Sequence, residues 1–221
     1  MSETHGAEET RQRLIDAATR EFAEAGVQAA SLLEITRLAG QRNRGAVHYH
    51  FGSREGMLVA VIEEQVDFLA RRERERLALA GEQPDDDLVS ALEALVKPAV
   101  ELADRGWKGR CYLMIMCELM EGTLEMIDED VVATLERAGG LEAYALVEQR
   151  LPTMPAELRT ERMSLTTTFI MRASADRARA EERHTPGRPQ LDTEHFVDNL
   201  LVMAHGMLAA PVPSRCDPAN A

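Results

Sequence analysis

Between Ile35 and Arg54 the chain carries four arginines, two histidines and one tyrosine, and no acidic residue. The formal charge of this window is +4, against -13 for the whole chain of 221 residues. A local field of that sign attracts phosphate. Arginine can pair with guanine O6 and N7, and asparagine with adenine N6 and N7. Arg42, Asn43, Arg44, His48 and Tyr49 supply such groups, and Gly45 leaves room for close approach. Ser31, His50 and Arg54 fall at helix ends, where side chains meet phosphates and position a reader without specifying sequence. A metal site at His48 and His50 is disfavoured. Residues two apart on a helix point about 200° apart, and the window has no carboxylate to complete a ligand set. Plain surface aromatics are the alternative to nucleic-acid contact.

Little else in the chain could do covalent chemistry. No nucleophile-base pair or phosphate-binding glycine loop stands out, and Gly139-Gly140 alone is too little. His195 and His205 lie ten residues apart on one helix, too far to cooperate. Cys111, Cys117 and Cys216 form neither a disulfide framework nor a zinc pattern. Two read as buried thiols and the third as part of a tail. No catalysis and no cofactor is expected.

The elements that position the basic window read as helices throughout. Strand-like alternation is absent, and aromatics are only 4% of residues, too few to suggest sheets. A first helix over 9–25 places Leu14, Ile15, Ala18 and Phe22 on one face, with Gly26 as its stop. Ser31 caps a second helix over 32–39, ended by Gly40. Asn43 is placed to cap a third helix of about two turns ending at Phe51-Gly52. Ser53 caps a long fourth helix through Met57, Val61, Val66 and Leu69. Two helices joined by a tight glycine turn behind a bracing helix describe a helix-turn-helix, with Leu14, Ala18, Phe22, Ile35, Leu38 and Val47 as its small core.

Charge divides the chain as the elements do. Residues 1–56 hold seven arginines and eight acids, whereas the remainder holds 18 basic and 30 acidic residues. A nearly neutral head with one basic strip precedes an acidic, all-helical body. The expected domains are 8–54 for the head, 55–210 for the body and 211–221 for a disordered tail. The alternating run Arg71 to Arg76 reads as a solvated face with local ion pairs. The N-terminus lacks a signal pattern, and no apolar run is long enough to span a membrane, so a cytoplasmic protein is expected.

Ten of the eleven methionines lie in the body. Methionine adapts to varied apolar shapes, so these residues either fill a core or line a cavity between helices. Trp107, Tyr112, Met114, Cys117, Glu118, Met120, Tyr144 and Phe169 are the candidate lining. Glu118 is either a buried acid that meets a polar or cationic ligand, or a residue turned to solvent. Near the end of the chain, Leu165, Phe169 and Ala173 recur at helical spacing. So do Phe196, Leu200, Met203, Ala204 and Met207. They suit a four-helix dimer interface or, alternatively, packing within one chain.

The head resembles the TetR family of bacterial transcriptional regulators. The likeness lies in Leu14-Ile15-x-Ala17-Ala18-x-x-x-Phe22-x-x-x-Gly26, Ser31-x-x-x-Ile35, Ala39-Gly40 and Phe51-x-Ser53-Arg54-Glu55. The turn at Gln41-Arg42-Asn43 is one residue longer than the usual form, and Leu32-Leu33 is unusually apolar. The resemblance implies that Arg44, Gly45, Ala46, His48 and Tyr49 face bases or groove walls, and that Ser31, His50 and Arg54 face phosphates. It implies a homodimer on a pseudo-palindromic double-stranded operator, and a small apolar or amphipathic effector that releases a repressor. A helical module that binds a protein partner, with a silent head, is the rival reading.

Overall fold

The computed structural model describes residues 2–43, 45–121, 128–183 and 189–213. Among them run ten α-helices and no strand. Helix α1 (Ser2–Ala25) buries Leu14, Ile15, Ala18 and Phe22, as its periodicity predicts. It begins seven residues earlier than hydrophobic spacing suggests. Residues 5–9 are exposed, and a solvated turn leaves no apolar trace to read. Gly26 ends the helix at φ +92°, the left-handed conformation its position requires.

Helix α2 (Leu32–Leu38) is capped by Ser31, whose Oγ accepts from Glu34 N–H at 3.2 Å. Helix α3 (Ala46–Phe51) starts later than expected. Gly45, not Asn43, holds its N-cap position, while Asn43 Oδ1 accepts from Gly45 N–H at 2.9 Å and tightens the preceding turn. Leu38, expected in the small core, is 51% exposed. It closes a short helix whose buried face is spent on Ile35 and Thr36.

Helix α4 (Arg54–Gly81) has the Ser53 cap, with Gly56 N–H donating to Ser53 Oγ at 3.0 Å. Gly56 is required here, because a Cβ would overlap the Phe51 carbonyl. At 1.5 Å per residue α4 is about 42 Å long, so it leaves the head and runs along the body. There it packs against α5 (Leu88–Asp104) and α7 (Glu129–Ala138). Helix α6 (Trp107–Glu121) lies against α1, α5 and α9 (Ala156–Arg183). Helices α8 (Leu141–Gln149) and α10 (Thr193–Ala209) pack on α5.

One apolar cluster crosses from head to body, joining Leu14, Phe22 and Ile35 to Met57, Cys111, Leu113 and Ile115. The second joins α5, α8, α9 and α10. Leu200 and Ala204 belong to that second core, at 2% and 0% exposure, so they are not surface residues available to a partner. Cys111 and Cys117 are buried thiols, and burial pushes Cys111 up to about 11. Two buried guanidiniums lock the body. Arg150 donates to the Ala80 and Asp87 carbonyls and Ser90 Oγ, and Arg162 to the carbonyls of Leu208, Ala210 and Pro211. The tail expected from residue 211 is therefore tied at its first residue. Residues 214–221, with Cys216, lie outside the described part of the chain.

Candidate nucleic-acid interface and effector cavity

Arg42, Asn43, Gly45, His48 and Tyr49 form an outward face on the turn and α3. Tyr49 is 82% exposed, the most exposed large apolar side chain described. Its ring stands edge-on to His50, with centroids 5.0 Å apart. His50 is half-buried between Tyr49 and Phe51, and the Arg11 guanidinium sits over the Phe51 ring. Such a rim of aromatic edges, amide and guanidinium matches what a major groove reads. Arg44 lies outside the described residues.

Two expected contacts are corrected. Ala46 is 6% exposed and turns with Val47 into the small core, because α3 starts at Ala46 and its phase follows. Arg54 does not extend to solvent. Its Nη1 donates to the Val27 and Ala30 carbonyls, each at 2.7 Å. Ser31 Oγ is used as a cap, yet its own hydrogen stays available, since a hydroxyl both donates and accepts. Arg37 is paired with Glu34 through two hydrogen bonds of 2.9 and 2.6 Å. That pairing holds Glu34 below the usual carboxylate range and offsets part of the window's positive field.

The loop clasped by Arg54 is held from the other side by the body. Val27 N–H donates to both oxygens of Glu118, at 2.9 and 3.1 Å. A Cβ at Gly26 would lie 3.0 Å from that carboxylate, so the glycine permits the approach. Glu118, half-buried, is thus spent on the loop and does not border the cavity between the body helices. At the other end of α6, Lys108 bridges Asp16 of α1 at 2.6 Å and Glu64 of α4 at 3.0 Å. The Arg20 guanidinium lies 3.9 Å from the centroid of Trp107. Glu118→Ala should leave Val27 N–H without its partner and cost about 1 kcal/mol. Urea unfolding of the full chain should show it, and an unchanged midpoint would remove Glu118 from the joint.

A cavity of about 360 Å³ opens among α4, α5, α6, α7, α8 and α9. Of the candidate lining, Tyr112, Met120 and Tyr144 border it, joined by Leu113, Met116 and Met171. The others do not. Met114 and Cys117 are buried away from it, Trp107 lies under Arg20, and Phe169 packs on the second core. Burial pushes the phenols of Tyr112 and Tyr144 up, so both stay neutral. Sequence reasoning also missed Glu73. It borders the cavity at 6% exposure, inside the run read as a solvated face. The signal was present: Val66, Leu69, Glu73 and Ala80 continue the buried stripe of α4 at helical spacing. Its neighbours Arg72 and Arg76 do pair outward, both with Glu101.

The model of bacterial regulatory proteins of the tetR family matches residues 14–61, and that of the tetracyclin repressor-like C-terminal domain matches 93–207. The chain belongs to the TetR family. Among curated relatives, the HTH-type transcriptional regulator AcrR of Shigella flexneri is 31% identical over 165 residues, covering 72% of this chain and 73% of that protein. The fold is that of the fatty acid degradation regulator FadR from Bacillus halodurans. That match has a TM-score of 0.55 at 16% identity and covers 89% of this chain and 95% of that one. It is also that of AibR, solved with isovaleryl coenzyme A and operator DNA. There the TM-score is 0.53 at 16% identity, covering 92% of this chain and all of that one. This TetR-family protein is accordingly a DNA-binding transcriptional regulator, with α2 and α3 as its helix-turn-helix. None of its described helices is long and apolar enough to cross a membrane.

Proposed function

We propose that this regulator is a cytoplasmic repressor. As a homodimer it grips a pseudo-palindromic operator with two copies of α3, and it lets go when a small molecule fills the cavity. The observation that carries the reading is the double duty of α6. Tyr112, Leu113, Met116 and Met120 border the cavity, while Glu118 on the same helix holds Val27 in the head. A ligand that shifts α6 therefore acts on the loop that leads into α2. The coupling equals the difference in ligand affinity between DNA-competent and incompetent arrangements.

Selection from random duplex DNA tests the reading directly. The expected product is an inverted repeat with half-sites about 34 Å apart, bound with a steep salt slope. Weak, sequence-blind binding would overturn it.

Support for the dimer comes from apolar side chains left open on α9 and α10. Leu165 is 53% exposed, Val202 72% and Met203 46%, with Phe169, Ala173, Phe196 and Met207 half-buried beside them. Val202 was not among the sequence candidates. Leu165→Glu with Val202→Glu should convert the protein to a 24.5 kDa monomer in sedimentation. A dimer that persists would place the interface elsewhere.

A further inference from the structure

Glu73 is the one buried acid that borders the cavity among the described residues. Its Oε1 accepts from Ala143 N–H at 3.1 Å, in the first turn of α8. That contact places the carboxyl at the start of α8. The other oxygen lies against Gly139, where a Cβ would overlap it, so backbone is shaped around the carboxylate. A cap alone needs only a neutral acceptor. A full carboxylate at the wall of an apolar cavity costs solvation unless something positive meets it.

No cation in the described part of the chain does so. Arg72 and Arg76 are spent on Glu101. Arg150 is spent on carbonyls and Ser90. No arginine, lysine or histidine is among the described residues that border the cavity, and the second charged residue there is another acid, the exposed Glu136. Two neutral phenols, Tyr112 and Tyr144, add aromatic faces, which attract cations.

Building on the effector reading above, we propose that the cavity selects lipophilic cations, with their positive charge seated between Glu73 and the two tyrosines. The same wall repels anionic amphiphiles such as the acyl coenzyme A that AibR was solved with. Protein likeness at that level shows a shared fold; the charge lining the cavity is this chain's own. Size agrees, since about 360 Å³ lies within the range of small-molecule sites.

Two probes separate charge from shape. Tetraphenylphosphonium and tetraphenylborate carry the same four rings and opposite charge. Each is titrated calorimetrically into the full-length protein, into Glu73→Gln and into Met116→Trp, with melting curves to confirm that each variant is folded. Glu73→Gln keeps an acceptor for Ala143 N–H and loses only the charge. Met116→Trp fills the cavity, and so reports binding elsewhere on this acidic surface. The phosphonium is expected to bind at least about 10-fold more tightly than the borate, with the gap shrinking below about 3-fold in Glu73→Gln. Equal or tighter binding of the borate, or a preference that survives Glu73→Gln, would overturn the charge selection. The effector reading stands in that case if Met116→Trp still abolishes binding. Binding of neither ion, or binding that Met116→Trp leaves intact, would overturn the cavity itself and this selection with it.

Discussion

Arg54→Ala should destabilise the head by about 3 kcal/mol and take operator binding down with it. Its Nη1 satisfies two carbonyls, Val27 and Ala30, on the loop between α1 and α2. A hydrogen bond to a charged donor contributes about 1.5–3 kcal/mol, and the half-buried setting places the pair toward the lower end of the combined range. The sequence pattern instead suggests a phosphate contact, and the two roles predict opposite results. A phosphate contact would leave the melting curve unchanged and lower the salt slope of binding by about one. Arg54→Lys, with the same charge, would then keep most of the affinity. In the loop-clasping role lysine is too short to span both carbonyls, so Arg54→Lys should melt nearly as early as Arg54→Ala. Thermal unfolding of the two variants, beside operator titration over salt, decides between these roles.

What was legible in the sequence was local. Gly26, Ser31 and Ser53 mark helix ends because caps are chemistry between residues three or four apart, and the structure has each of them in place. The apolar faces of α1 and α4 follow from spacing in the same way. Errors arose where a helix is too short to fix its own phase. Helix α3 has six residues and its cap is Gly45 rather than Asn43, and Ala46, which the family resemblance turns toward the groove, belongs to the core. Leu38 failed likewise at the end of a seven-residue helix.

The remaining misses concern partners far apart in sequence. Glu118 meets Val27 across 91 positions and Arg54 meets it across 27, and nothing in either segment announces the other. Leu200 and Ala204 share helical spacing with the surface residues of α10, but they lie under α5, which no pattern within α10 can reveal. The cavity illustrates both cases. Tyr112, Met120 and Tyr144 were legible as adaptable or amphipathic groups on central helices. Trp107 and Met114 looked similar, and only packing separates them. Glu73 was hidden by its neighbours, because four arginines and a second glutamate around it read as solvent-facing even where one position in the run turns inward.

Tyr49→Ala should lower operator affinity about 100-fold while the protein melts as the parent does. The ring is 82% exposed and touches little except His50, so its loss leaves no cavity and unpairs no buried group. Surface substitutions of that kind shift stability by no more than about 0.5 kcal/mol. Operator binding is another matter, because a large exposed ring on the outer face of α3 is unsatisfied until something covers it. Apolar contact with a thymine methyl or a hydrogen bond from the phenol would each be lost, and two such losses of about 1.4 kcal/mol make the 100-fold. Because tyrosine carries no charge, the salt slope should not change, unlike that of an Arg42→Ala protein, where one phosphate or base contact of a cation is removed. The same selected duplex serves for both variants. Affinity for it within about threefold of the parent, in a Tyr49→Ala protein with an unaltered melting curve, would move the recognition surface away from α3.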